Sequence, residues 1–209
     1  MTNNLGITKR VVPKPLKKGD KIALVTPARF ATSSLIDEAC QTLSKAGFVP
    51  HISEGLNSRE GQFGGDDQSR ANQLNLAFQA PEIRAVLALR GGYGSARLLP
   101  LLDVESYVND PTWIVGFSDI TALHAWSNNL GIASLHASVA STMKTTHGED
   151  VECVWDTLMG NAPRIFDGTI VGGNLSVLYS LLGTPYFPYC TDSFLFIEDL
   201  DEFLYHIDR

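Results

Sequence analysis

Three stretches of this sequence set reactive or anion-binding groups directly behind an apolar run. In the first, Trp113–Phe117 leads straight into Ser118-Asp119-Ile120, and a helix pattern with Thr121, Leu123, Ala125 and Trp126 follows. A serine at a sharp strand-to-helix turn is the setting of a nucleophile elbow, which holds the hydroxyl out for attack. Gly116 would relieve crowding beneath it, and the Asp119 N–H would face outward at the helix N-terminus. Ile120 stands where the second glycine of GxSxG belongs, so a standard α/β-hydrolase is not indicated. An ordinary N-capping serine fits the same bare pattern.

The second stretch is Arg90-Gly91-Gly92-Tyr93-Gly94-Ser95, behind the apolar run Ala85–Leu89. Glycines there let the backbone turn sharply and present N–H groups to an anion or a developing oxyanion. No Gly-Lys-Ser/Thr follows, so a phosphate loop fits poorly. The third glycine of a dinucleotide fingerprint would fall at Arg97, so that fits poorly too. A plain structural turn is the alternative. The third stretch, Glu198-Asp199-Leu200-Asp201-Glu202, follows Phe194–Ile197. One of its carboxylates could orient a histidine, several could bind Mg²⁺ or Ca²⁺, or the run could simply favour a helix N-terminus. The helix reading accounts for Asp201 and Glu202 better than for Glu198. Among the five histidines, His51 and His147 fall at loops or strand edges, and His124 lies on another face of the helix behind Ser118. His136 closes an expected strand Ile132–Leu135 and could border the cleft; no pair has HExxH spacing.

The elements that must position these groups alternate in type. Ile22–Val25 reads as a strand ending at Thr26-Pro27. Ser33 or Ser34 can cap a helix with Leu35, Ile36, Ala39, Cys40, Leu43 and Ala46 on one face, closed by Gly47. Phe48–Ile52 reads as a second strand, and a helix over about 69–79 ends at Pro81. The unbroken runs 85–89 and 113–117 suit strands covered on both faces. This predicts an α/β fold: a Rossmann- or flavodoxin-like, mostly parallel sheet with helices on both faces and ligand groups at the strand C-terminal ends. The first 12 residues read as a frayed terminus, and Thr145–Asp150 with Gly160–Pro163 as linker around a short helical piece. The expected organisation is an N-terminal domain over 1–148, a linker over 149–165, and the beginning of a smaller β-rich C-terminal domain over 166–209. That last unit has too few strands to bury its own apolar face, which suggests a fragment of a longer protein.

Composition narrows the function classes. With 16 Lys+Arg against 23 Asp+Glu the formal charge is −7, and no basic run exceeds Lys17-Lys18, which argues against nucleic acid or an anionic membrane. No apolar stretch approaches a bilayer span and no secretory signal opens the chain, so cytoplasm is the default. Cys40, Cys153 and Cys190 are odd in number and form no CxxC, against a disulfide framework or a cysteine-based zinc site.

Taken in order, several segments resemble the L,D-carboxypeptidase family, serine peptidases of the S66 type that include microcin-C immunity peptidases. They are Lys17–Asp20 with Ile22–Ala28, Arg90–Gly94, Gly116–Thr121, Gly172-Gly173-Asn174-Leu175, Leu182–Pro185, Ile197-Glu198-Asp199 and Ile207-Asp208-Arg209. The resemblance covers essentially the whole chain. It implies a Ser-Glu-His triad with Ser118 as nucleophile and Glu198 as the carboxylate. The family's histidine lies downstream of this sequence, and His206 matches a position that is not the catalytic one. The oxyanion would be held by backbone N–H groups of Asp119, Gly91 and Gly92, with Tyr93, Asn174 and Arg90 as candidate substrate contacts. The implied reaction releases terminal D-alanine from murein tetrapeptide, without metal or organic cofactor, in a cytoplasmic homodimer; the 209 residues alone are expected to be nearly inactive. Two other classes compete: a non-catalytic module binding a peptide or small anion in the same cleft, and a metal-dependent hydrolase built on Glu198, Asp199, Asp201 and Glu202.

Overall fold

The computed structural model describes residues 10–161 and 168–208. Its main sheet holds strands β1 (Lys21–Val25), β2 (Val49–Ile52), β3 (Ile83–Ala88), β4 (Trp113–Gly116) and β5 (Leu135–His136), in the order β2-β1-β3-β4-β5. Every pairing is parallel, which is the flavodoxin-like arrangement expected of the sequence. The alternation of side chains along the inner strands explains the unbroken apolar runs. Ala23, Val25, Val86, Ala88 and Ile114 enter one core, while Ile22, Leu24, Ala85, Leu87, Trp113 and Val115 enter the core on the opposite face.

Helix α1 (Ser33–Lys45) covers one face, and α2 (Asp67–Gln79), α3 (Val104–Asn109) and α4 (Thr121–Asn129) cover the other. The α1 cap is Thr32, one residue before the serines expected, because its Oγ1 accepts from the Leu35 N–H. Helix α2 starts two residues earlier than expected, since Asp66 accepts from the Ser69 N–H at 2.6 Å. Two short helices, α5 (Ala140–Met143) and α6 (Gly148–Leu158), complete the α1 side. Trp155 and Leu158 of α6, the short helical piece expected between the two linker stretches, pack in the same core as Phe48 and Leu43.

Two further boundaries differ from expectation. The strand expected over 132–135 pairs only at Leu135 and His136, because Ile132 instead bridges Val11 in parallel. Val11 receives the Ala133 N–H and donates to Gly131 O, both at 2.8 Å, so this part of the terminus is held rather than frayed. Beyond the first sheet, β6 (Ile170–Asn174), α7 (Leu175–Leu181) and β7 (Phe194–Glu198) form a two-stranded parallel crossover unit. A helix α8 (Leu204–Asp208) follows it, opening three residues after Asp201 and two after Glu202, the starts expected of the sequence.

Candidate active site

Ser118 sits at the carboxyl edge of the sheet, two residues past β4, with φ 61°. A non-glycine residue in the left-handed region carries strain of order 1–3 kcal/mol and persists only where its surroundings hold it. Here they do. The backbone turns through a single 3₁₀ turn (Ser118–Ile120) into α4, and Ile120 N–H closes it on Phe117 O. Gly116 makes room beneath the turn, because a Cβ there would stand 2.8 Å from Ile120 Cγ1. His124 of α4 holds the Gly116 carbonyl, donating from Nε2 at 2.8 Å, while its Nδ1 accepts from the Ser134 hydroxyl at 2.8 Å.

The glycine turn behind β3 lies against this serine. A Cβ at Gly91 would stand 3.0 Å from Ser118 Cβ and 3.1 Å from its Oγ, a tight contact, so the two strand ends meet closely at this glycine. The link is locked by Asp119, whose buried carboxylate accepts the Ser95 N–H at 2.8 Å. Burial pushes the Asp119 carboxyl up, and the hydrogen bonds from Ser95 oppose that shift. Asp119 therefore ties the elbow to the glycine turn through its side chain as well as standing next to Ser118 in sequence. A cleft of about 200 Å³ opens over this junction, lined by Arg29, Arg90, Gly91, Gly92, Phe117, Ser118, Val139, Ser141 and Thr142. Arg29 was not singled out by motif; its one signal in the sequence is its position just past the C-terminal end of a strand.

Glu198 ends β7 and pairs in register with Asn174 at the end of β6. The Asn174 N–H donates to Thr121 Oγ1 at 2.9 Å, so the carboxylate strand is joined to the helix that begins three residues after Ser118. The Asn174 side chain is engaged locally: Oδ1 caps α7 through the Val177 N–H, and Nδ2 donates to Asp199 Oδ1. Asp199 also accepts from the Ser176 N–H and hydroxyl, which marks it as a structural carboxylate of this turn. Glu198 differs. Its Oε1 is buried with no hydrogen-bond partner among the described residues, and His136 Nε2 lies 3.9 Å away, beyond hydrogen-bonding distance. Burial, with Asp199 beside it, pushes the Glu198 carboxyl up, and burial pushes His136 down. Tyr93 is exposed and tilts against Phe63 with ring centroids 6.0 Å apart. Among the described residues, no group of three or more His, Cys, Asp or Glu side chains is placed to hold a metal ion.

Fold and site together define an open parallel α/β protein with a serine elbow at the carboxyl edge of its sheet. The chain belongs to the LD-carboxypeptidase family: the family's N-terminal domain matches residues 22–137 and its C-terminal domain matches residues 167–209. It is 32% identical to a probable murein peptide carboxypeptidase of Bacillus subtilis, covering 94% of this chain and 67% of that protein. It is 29% identical to the murein tetrapeptide carboxypeptidase of Pseudomonas aeruginosa, over 90% of this chain and 69% of the relative. The crystal structure of a muramoyltetrapeptide carboxypeptidase from Oxalobacter formigenes superposes with a TM-score of 0.80 at 26% identity, covering 90% of this chain and 68% of that one.

Proposed function

We propose that this chain carries the nucleophile and the carboxylate of a serine L,D-carboxypeptidase that releases C-terminal D-alanine from murein tetrapeptide in the cytoplasm. The observation that carries the reading is Ser118 at φ 61° in contact with the Gly91 turn, a nucleophile elbow beside a source of backbone donors. The relatives' names supply the substrate class. The unpartnered Glu198 Oε1 supports the second role, because a buried carboxylate oxygen without a donor is the group an imidazole N–H would satisfy. That imidazole would come from the remainder of the family's C-terminal domain, so the 209 residues by themselves would be nearly inactive.

The chemistry follows from these roles. Histidine takes the Ser118 hydroxyl proton as Oγ attacks the carbonyl of the L-residue. The C=O electron pair moves onto oxygen, where N–H groups of Asp119 and of the Gly91-Gly92 turn receive it; such a donor is typically worth about 2.7–4 kcal/mol. Histidine then returns the proton to the departing amine of D-alanine, and water hydrolyses the acyl-serine by the same sequence. No step calls for a metal or organic cofactor.

The test is D-alanine release from L-Ala-γ-D-Glu-meso-diaminopimelate-D-Ala by the full-length protein. Ser118→Ala should lower kcat by at least about 10³-fold, and Glu198→Gln by about 10⁴-fold, with native circular dichroism retained. Turnover that survives Ser118→Ala would move the nucleophile elsewhere.

A further inference from the structure

Seven of the chain's arginines lie among the described residues, and five of them are tied down. Arg10 bonds Asn128 O, Arg59 bonds Gly61 O, Arg70 and Arg97 pair with Asp67, and Arg84 pairs with Asp110. The remaining two, Arg29 and Arg90, make neither a hydrogen bond nor an ion pair with any described residue, and both line the Ser118 cleft. No aspartate or glutamate lines that cleft; its other polar side chains are the hydroxyls of Ser118, Ser141 and Thr142. A net charge of −7 makes two unneutralised guanidinium groups at one spot a local reversal of the molecule's field.

The loop carrying Arg29 is held firmly. Thr26 N–H donates to Gln73 Oε1 at 2.8 Å, buried Arg70 donates to Pro27 O, and Gly64 N–H donates to Ala28 O at 3.1 Å. The Arg29 stem lies across Gly92, where a Cβ would stand 2.7 Å from Arg29 Cγ and 2.8 Å from Cδ. Arg29 is thereby seated over the same glycine turn that abuts the serine. Guanidinium groups bind carboxylates through charge-assisted, often bidentate, hydrogen bonds.

We infer that Arg29, together with Arg90, binds the free C-terminal carboxylate of the residue that leaves, and so restricts cleavage to the last peptide bond. This rests on the serine peptidase reading above and adds to it the residue that makes the enzyme a carboxypeptidase rather than an endopeptidase. Arg29 determines specificity here; it takes no part in proton transfer.

The experiment compares two peptides in the full-length protein, the tetrapeptide ending in D-alanine and its C-terminal D-alaninamide. The wild type should prefer the free acid by at least about tenfold in kcat/KM, because an amide removes the anionic partner of both guanidinium groups. Arg29→Gln should lower kcat/KM for the acid by about tenfold or more, leave the amide within about twofold, and collapse the preference. Arg29→Lys, which keeps the charge and loses the fork, should fall between. An unchanged acid-to-amide ratio in both Arg29→Gln and Arg90→Gln, or no preference in the wild type, overturns the inference. If neither peptide is cleaved, or if Ser118→Ala retains turnover, the serine peptidase reading falls and takes the inference with it. Loss of turnover in Ser118→Ala with an unmoved ratio overturns the inference alone.

Discussion

His124 shows how a residue away from the cleft acts on the elbow. Its ring is buried, and the loss of solvation pushes its pKa down to about 4, outweighing the favourable bond to Gly116 O. The neutral ring is thus the form that fits, with the proton on Nε2 facing the carbonyl and Nδ1 free to accept from Ser134. The sign of the linkage follows. Between pH 6.5 and about 4 the unfolded chain takes up a proton that the native chain resists, so stability is full above 6.5 and falls as pH drops through this window. At about 1.4 kcal/mol per pKa unit, the loss by pH 4 is on the order of 3 kcal/mol, a large share of a typical domain's stability. Urea unfolding at pH 7, 5.5 and 4.5 checks this. His124→Gln should be less stable at pH 7 and lose distinctly less than the wild type across the window; parallel losses in both proteins would remove His124 as the cause.

At the scale of elements, the second unit reaches the first through a narrow junction, where Gly173 lies against Thr121 and Asn174 bonds to it. The β6–β7 pairing behind that junction depends on Gly172, whose φ is 138° and where a Cβ would fall 1.8 Å from Phe196 O. Gly172→Ala must therefore separate the strands. Hydrogen exchange should then show residues 170–174 and 194–198 losing protection while β3 stays protected, and unchanged protection at 194–198 would refute the dependence. Much of this architecture was legible in the sequence. The apolar runs at 85–89 and 113–117 mark strands buried on both faces because their side chains alternate between two cores, and an apolar strand feeding a helix leaves Ser118 as either an elbow or an N-cap. The left-handed backbone at Ser118 was not legible, since no local residue preference announces it. Nor was the parallel bridge of Val11 to Ile132, which joins positions far apart in sequence and shortens β5. Arg29 escaped for a similar reason: its neighbours in the cleft come from the ends of β3, β4 and the segment after β5, and only the sheet order brings them to it.

The molecule as a whole is asymmetric in how completely its sheets are covered. The five-stranded sheet has a core on each face, whereas Leu195 and Ile197 of β7 are about half exposed, and Leu200 and Leu204 are 80% and 85% exposed. Exposed apolar side chains of this size and number favour association unless something packs on them. The same strand ends in Glu198, whose side chain alternates to the face opposite Leu195 and Ile197 and whose Oε1 lacks a hydrogen-bond donor among the described residues. Produced as these 209 residues, the protein should release no measurable D-alanine and should associate without a fixed stoichiometry. Its weight-average mass in sedimentation should exceed 22.8 kDa and rise with concentration. The full-length protein, with the family's C-terminal domain complete, should instead sediment as a species of fixed mass and turn over the tetrapeptide. A 209-residue chain that stays at 22.8 kDa at every concentration would show that the β7 face needs no partner, and turnover by that chain would mean that a histidine within it, such as His136 at 3.9 Å from Glu198, can serve as the base.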